Sequence, residues 1–387
     1  MKKTAVKSSK TLASPAAALT FRGFEEIAAL EVKEILGKNS VAATEYVTFS
    51  ATDLELAELC YKTQAARRVL RLFGTFSFST FDSLITSTTA LLENADLSLL
   101  SEKTFRVECE RYGTHSFSSQ EVAAALGGVF LKQQPKTSVA LDDPDIIIYC
   151  FIRDDLCILG IDFAGFDLSK REYKIYAQTH MLNAAFAYCA VRYAGYTGKQ
   201  ALVDPLCGVG LLPLEAALFA AHMSPRFYQK QNFLFHRFLE IDLGKFDKEV
   251  SKKVLDTFSL RGYDVHLRNL EASKKHAKLA GVAKYITFAR GDIEWIDTKV
   301  DEKSQDIVVA QMPVEGRLVT DKDMLKFYKE FFYQLEFVMK DTGTMVLLCQ
   351  KTGVLKTALE YFTIVKEHIV WQGEQQFILV TLKKVKK

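Results

Sequence analysis

The sequence predicts an α/β protein whose C-terminal half is a mostly parallel seven-stranded sheet, preceded by smaller α+β units. Three observations carry this. From Lys199 onward, short apolar runs alternate with segments of helical period, the pattern of strands and crossover helices. Earlier strands such as TFRVECERY alternate apolar with polar residues, as half-buried strands do. The 387 residues, 49% hydrophobic and 25% charged, are more than one core usually holds.

In chain order, residues 1–17 read as a disordered basic tail. It opens like a signal peptide but lacks the apolar core one requires. LTFRGF reads as a strand, and Glu25 to Leu36 as a helix with Ile27, Leu30, Ile35 and Leu36 at helical spacing. VAATEYVTFSA gives strands around a turn, and LELAELCYKTQAARRVLRLF a long amphipathic helix running into a strand. These close a first unit, 18–90. A second, 91–163, opens on TFRVECERY, continues as a Ser-capped helix in SFSSQEVAAALGGVFLKQ, and ends in strands turned at DPD and RDD. A connector, DLSKREYKIYAQ, and a helix in THMLNAAFAYCAVRYAG fill 164–198. The last unit, 199–387, alternates ALVDPLC, LLPLEAALFAAH, RGYDV, NLEASKKHAKLAGV, YITFARGD, SQDIVVAQMP, MLKFYKEFFYQLEFVM and TGTMVLLCQ. It ends in an antiparallel hairpin of IVKEHIVW and QFILVTLKK.

Composition excludes several classes. With 50 basic and 47 acidic residues, net +3, a nucleic-acid site must be a local patch rather than a global field. Seven scattered cysteines without a CxxC pair indicate neither a zinc site nor a disulfide framework, and reduced thiols fit the cytoplasm. No apolar run reaches the ~18 residues of a membrane helix. Neither a metal nor a membrane partner is expected.

The segment VDPLCGVGLLPLEAA carries the strongest chemistry. A buried strand ends at Asp204, and a tight loop with Gly208 and Gly210 lets the backbone approach a ligand. The dinucleotide pattern GxGxxG fails, because Leu211, Leu212 and Pro213 follow Gly210. Asp264 ends the second strand, where an acid can accept from a ribose diol, and Asp292 ends the third. Helix capping is the alternative for each acid taken singly. In VVAQMPVEGRL, Gln311 and the Pro313 carbonyl could accept from a substrate amine, or Pro313 could simply break the strand. In the front half, Lys62, Arg67, Arg68 and Arg71 fall on one predicted helix, and Arg106, Arg111 and His115 cluster near the second unit's first strand. Phosphate contact and a solvated face are both open readings.

Together these blocks resemble the THUMP-domain RNA methyltransferases, over about residues 19 to 385. LTFRGFEEIAALEVKEILG, KTQAARRVLRLFGTF, the DPD and GID strands, the connector DFAGFDLSKREYK and VDPLCGVGLLPLEAA stand in the family's order. The resemblance implies a ferredoxin-like unit and a THUMP domain that capture the acceptor end of tRNA, or another structured RNA. It implies a Rossmann-like domain that binds S-adenosylmethionine and methylates a base. The nearest branch is the archaeal and eukaryotic type acting on the exocyclic N2 amine of a tRNA guanine, related to bacterial 23S rRNA guanine-N2 methyltransferases. Asp204, Cys207, Gly208 and Gly210 would then line the methionine end of the cofactor and Asp264 the ribose. Asp292 would face the adenine amine, with Ile293 packing its ring. Gln311, Pro313 and Val314 would form the catalytic loop, and Lys170 and Arg171 would join the front-half cations on RNA. The need for a small activating subunit stays open.

Two departures qualify the resemblance. The catalytic loop has Gln311 where Asn or Asp is usual and Val314 where an aromatic would stack on the base. The cofactor loop has Val209 and Leu211 in place of hydroxyls. They motivate a second hypothesis, a degenerate methyltransferase that binds RNA without methylating it.

Overall fold

A computed structural model describes residues 12–177, 181–250, 259–313 and 320–385. The front half contains β1 (Ser14–Leu19), α1 (Glu25–Leu36), β2 (Val41–Ala43), β3 (Tyr46–Ala51), α2 (Asp53–Lys62), β4 (Arg68–Ser77) and α3 (Phe81–Glu93). It continues with β5 (Thr104–Tyr112), α4 (Ser119–Gln133), β6 (Ser138–Val139), β7 (Ile146–Arg153) and β8 (Leu156–Asp162). Capping boxes fix the starts of α2 (Thr52 with Glu55) and α4 (Ser118 with Glu121), each satisfying two otherwise orphaned N–H groups.

The two expected front units share one sheet of order β2-β3-β1-β4-β8-β7-β5-β6. β4 pairs antiparallel with β8, from Leu70↔Asp162 to Ser77↔Leu156. A boundary at residue 90 therefore separates the chain in sequence but not in hydrogen bonding.

Three local expectations are corrected. The opening strand is Ser14–Leu19, inside the expected tail, because Ala16, Ala17, Ala18 and Leu19 are buried between β3 and β4. Thr20 to Phe24 is a loop, turned at Gly23 with φ 92°. The cations Lys62, Arg67, Arg68 and Arg71 do not share a helix. α2 stops at Lys62, and the buried Glu31 carboxylate accepts from the Gln64 N–H (2.7 Å), the Ala65 N–H and the Thr63 hydroxyl. That acceptor draws the chain out of helical bonding before β4 begins.

The C-terminal half contains α5 (Ala184–Tyr193), β9 (Leu202–Asp204), α6 (Leu211–Ala220), α7 (Gly244–Val250), β10 (Leu260–Asp264), α8 (Leu267–Leu279) and β11 (Ile286–Arg290). Then follow β12 (Gln305–Gln311), α9 (Asp321–Val338), β13 (Met339–Cys349), α10 (Gly353–Thr357), β14 (Phe362–Gln372) and β15 (Gln375–Lys384). The seven-stranded order is β11-β10-β9-β12-β13-β15-β14, parallel from β11 to β13, with β15 antiparallel to both neighbours. Strand order reverses between β9 and β12, and such a reversal opens a crevice at the carboxyl ends of the strands.

The halves are joined by a buried polar junction. Glu215 of α6 is fully buried and faces Arg171 of the connector (Nε to Oε1, 3.0 Å), Gln64 of the front half (Nε2 to Oε2, 2.6 Å) and the Tyr173 hydroxyl. Arg171 also donates to the Gln64 carbonyl at 2.8 Å. Arg192 of α5 adds a two-pronged pair to Glu34 of α1, at 2.7 and 2.8 Å.

Candidate active site

The crevice is a cleft of about 990 Å³. It takes residues from the ends of β9 to β12, from the starts of α6, α8 and α9, and from Met181 and Leu182 before α5. Of the expected cofactor residues, Asp204, Cys207, Gly208, Asp264, Asp292 and Ile293 line it. Gln311 and Pro313 do as well, together with Met312; Val314 lies outside the described residues. Gly210 stands one step back. Its φ of 82° suits glycine, and a Cβ there would meet the Phe288 ring at 2.7 Å and Ser273 at 2.9 Å.

The loop after β9 is held from several sides. The Cys207 N–H donates to the Tyr263 carbonyl at 2.7 Å, and the Gly208 N–H to Asp264 Oδ2 at 3.0 Å. Asp264 Oδ1 accepts from the His266 N–H (2.8 Å) and the Asn269 side chain (3.0 Å). Asp264 therefore binds the glycine loop itself, besides standing where a ribose would lie. The Ser273 hydroxyl bonds the Gly208 carbonyl at 3.0 Å.

His276 completes the frame. It is buried, and its Nε2 accepts from the Tyr176 N–H at 3.1 Å. The proton must then sit on Nδ1, which donates to the Val209 carbonyl at 3.2 Å. Burial first, and Lys174 nearby, hold its pKa below the usual value. One neutral imidazole thus ties the connector to the cofactor loop. Val209 and Leu211 pack into the core and also line the cleft, so apolar side chains stand there where the resemblance leads one to expect hydroxyls.

Asp204 is buried, and its Oδ1 accepts the Leu206 N–H at 3.1 Å. Burial, with Asp264 adding, pushes its pKa up to about 8. Asp292 is exposed at the cleft and caps the short turn Ile293–Thr298.

The expected RNA-contacting cations fare differently. Arg171 and Arg71 are buried, Arg171 on Glu215 and Arg71 beside Asp53 (3.4 Å) and Asp96 (2.5 Å). Arg67 pairs with Glu110, and Arg68 with Asp162 at 2.5 Å. These four are structural: each guanidinium neutralises a carboxylate that the fold removes from water. Lys62 pairs with Glu58 and Arg106 with Glu108, both at 2.5 Å and partly exposed. Arg111 donates to His115 Nδ1 at 2.8 Å, and Lys170 is exposed.

Sequence reasoning missed the α8 brace of Asn269, Ser273 and His276. Their spacing (i, i+4, i+7) places three polar residues along one side of a helix, a signal readable in principle. It also missed Asp323, Lys326, Phe327 and Glu330 of α9, which line the cleft too; α9 rests on the turn Ile293–Thr298, where Gln334 bonds the Glu294 carbonyl and Glu330.

Residues 171–376 match the family model described as RMKL-like, methyltransferase domain, and residues 78–162 match the THUMP domain. The chain belongs to the RMKL-like methyltransferase family. It carries a THUMP domain in front, and its family reaction takes S-adenosylmethionine as the methyl source. It is 26% identical over 266 residues to the tRNA (guanine(6)-N2)-methyltransferase of Methanocaldococcus jannaschii, spanning 66% of this chain and 69% of that protein. It is 28% identical over 336 residues to the ribosomal RNA large subunit methyltransferase K/L of Vibrio parahaemolyticus, covering 82% of this chain and 46% of that one. The chain thus spans about half the length of this ribosomal relative. The fold is shared with TrmN from Thermus thermophilus (TM-score 0.71, 20% identity, 96% and 99% of the two chains). It is shared too with SMU.472, a putative methyltransferase complexed with SAH (TM-score 0.79, 17% identity, 97% and 100%).

The cleft fits the cofactor. Its floor is the loop after β9, where Gly208 bares the backbone among apolar neighbours such as Leu206 and Val209, and Asp264, Asp292 and Glu294 give it an acidic lining suited to a cationic sulfonium. Among the described residues no group of three or more His, Cys, Asp or Glu is placed to hold a metal ion, and no helix is long and apolar enough to cross a membrane.

Proposed function

We propose that this protein methylates the exocyclic N2 amine of a guanine in tRNA. The observation that carries the reading is a similarity to a tRNA (guanine(6)-N2)-methyltransferase that runs through 69% of that enzyme's length. The cleft at the switch point of the sheet supports it. S-adenosylmethionine bound there supplies the methyl group. The chain's own task is alignment: Asp264 and the α8 brace fix the glycine loop, and Asp292 stands ready to accept from an exocyclic amine of the adenine ring.

Gln311 ends β12 at the same cleft, and Pro313 follows two residues later in its lining. In this reading they accept hydrogen bonds from the target amine and favour charge developing on its nitrogen. A paired target base would have to be flipped out first. Lys62, Lys170, Arg106, Arg111 and His115, all at least partly exposed, are the candidates for phosphate contact.

Gln311→Ala is expected to lower turnover on the order of a hundredfold with little change in RNA affinity. Radiolabelled transfer to unmodified tRNA, paired with a filter-binding titration, measures both. Unchanged turnover removes Gln311 from the chemistry. Label entering ribosomal RNA instead of tRNA redirects the substrate, and RNA retention with no transfer and weak or absent cofactor binding favours the binding-only alternative.

A further inference from the structure

The cleft has two unlike walls. Asp323, Lys326, Phe327 and Glu330 recur at i, i+3, i+4 and i+7 and form a single stripe of α9 along it. Among the described lining residues, Phe327 carries the one phenyl ring and Lys326 is the one lysine or arginine. The Phe327 ring is half-buried and steadied by Phe331, with centroids 5.8 Å apart. Asp323 is occupied at the helix start, where Thr320 donates to it at 2.6 Å. Glu330 Oε1 accepts from Gln334 at 2.9 Å, and a carboxylate has lone pairs for further donors.

We infer that this stripe of α9 is the target-nucleotide subsite and that it selects guanine. The inference rests on the proposed RNA guanine methylation. A flat base entering the cleft beside α9 meets the Phe327 ring as its stacking surface. Lys326 lies on the same stripe, one residue away, and suits the nucleotide's phosphate. Glu330 lies one helical turn further on. Its carboxylate accepts from a ring N1–H, which guanine has; adenine presents a lone pair at N1 and is repelled.

The test uses the full chain with Phe327→Leu, Phe327→Tyr and Glu330→Gln. Readouts are kcat/KM on unmodified tRNA transcripts, affinity for S-adenosylhomocysteine, and the identity of the methylated nucleoside. A second substrate carries 2-aminopurine at the mapped position, with the same amine and no N1–H. Phe327→Leu is expected to lower kcat/KM about ten- to a hundredfold, the range that base–aromatic stacking gives. Cofactor affinity should hold, and Phe327→Tyr should restore the rate. Glu330→Gln should narrow the preference for guanine over 2-aminopurine. Equal rates for the Leu and Tyr variants, or an undiminished preference in Glu330→Gln, overturn the subsite. If Phe327→Leu also loses cofactor affinity, Glu330→Gln decides. A wild-type chain that binds cofactor yet labels no guanine overturns the parent reading, and this one with it.

Discussion

The wall of the cleft built from β9, β10 and α8 is tied inward, whereas the wall built from α9 and the end of β12 presents side chains outward. On the first, Asp264 takes three donors, the Gly208 carbonyl takes a hydroxyl, and His276 locks Val209 to the connector. On the second, Lys326, Phe327 and Glu330 form an open stripe on a helix face. Under the proposed function the difference matches what each wall would meet. A small ligand of fixed shape is bound best by a preformed surface, because little ordering remains to be done. A nucleotide delivered by a large RNA needs a face it can reach.

Breaking the inner wall from behind should cost most. Arg171→Ala strands the buried Glu215 carboxylate, and loss of one partner from a buried pair costs about 3–5 kcal/mol. Denaturant unfolding measures this. A loss under ~1 kcal/mol would mean that the junction does not hold α6, and with it the glycine loop, in place.

His276→Ala comes next. It removes two hydrogen bonds from the loop and connector, each worth ~1 kcal/mol net. Cofactor affinity should fall roughly tenfold, while RNA retention by the front half stays level. The wild type should show a milder version in acid. Folding lowers the His276 pKa below its ordinary 6.5, so the bond from the Tyr176 N–H is in place at pH 6.5 and above and is lost as pH falls through the lowered folded value. An acid limb of the cofactor-binding profile that is unchanged in His276→Ala would remove His276 from the brace.

The smallest effect is a proton. Asp204 has a pKa raised from 3.8 to about 8, so its contribution to stability declines as pH rises through that window. A cationic sulfonium nearby favours the carboxylate, so cofactor binding at pH 7 should release up to about one proton. Calorimetry in buffers of different ionisation heat detects it, and Asp204→Asn should abolish it. Equal heats in all buffers would place the cofactor's charge away from Asp204.

Most of the catalytic half was legible in the sequence, because strand-end acids and a glycine loop are local signals. Asp204, Gly208, Asp264, Asp292 and Gln311 all reach one cleft as expected from their strand ends. Four of the cations, Arg67, Arg68, Arg71 and Arg171, were expected on RNA and are paired with internal acids instead, for a physical reason. An arginine run looks the same whether it faces phosphate or an internal acid, and the acids lie far off in sequence: Glu110 for Arg67, Asp162 for Arg68, Glu215 for Arg171.

The sequence by itself determined the α/β class, the seven catalytic-half strands and the residues at their ends, since periodicity and turn chemistry act over a few residues. Tertiary structure decided that the front units share one sheet, that Glu31 ends α2 early, and that α9 joins the lining of the cleft. Each depends on a partner tens to hundreds of residues away, and only the folded chain brings those partners within a hydrogen bond's reach.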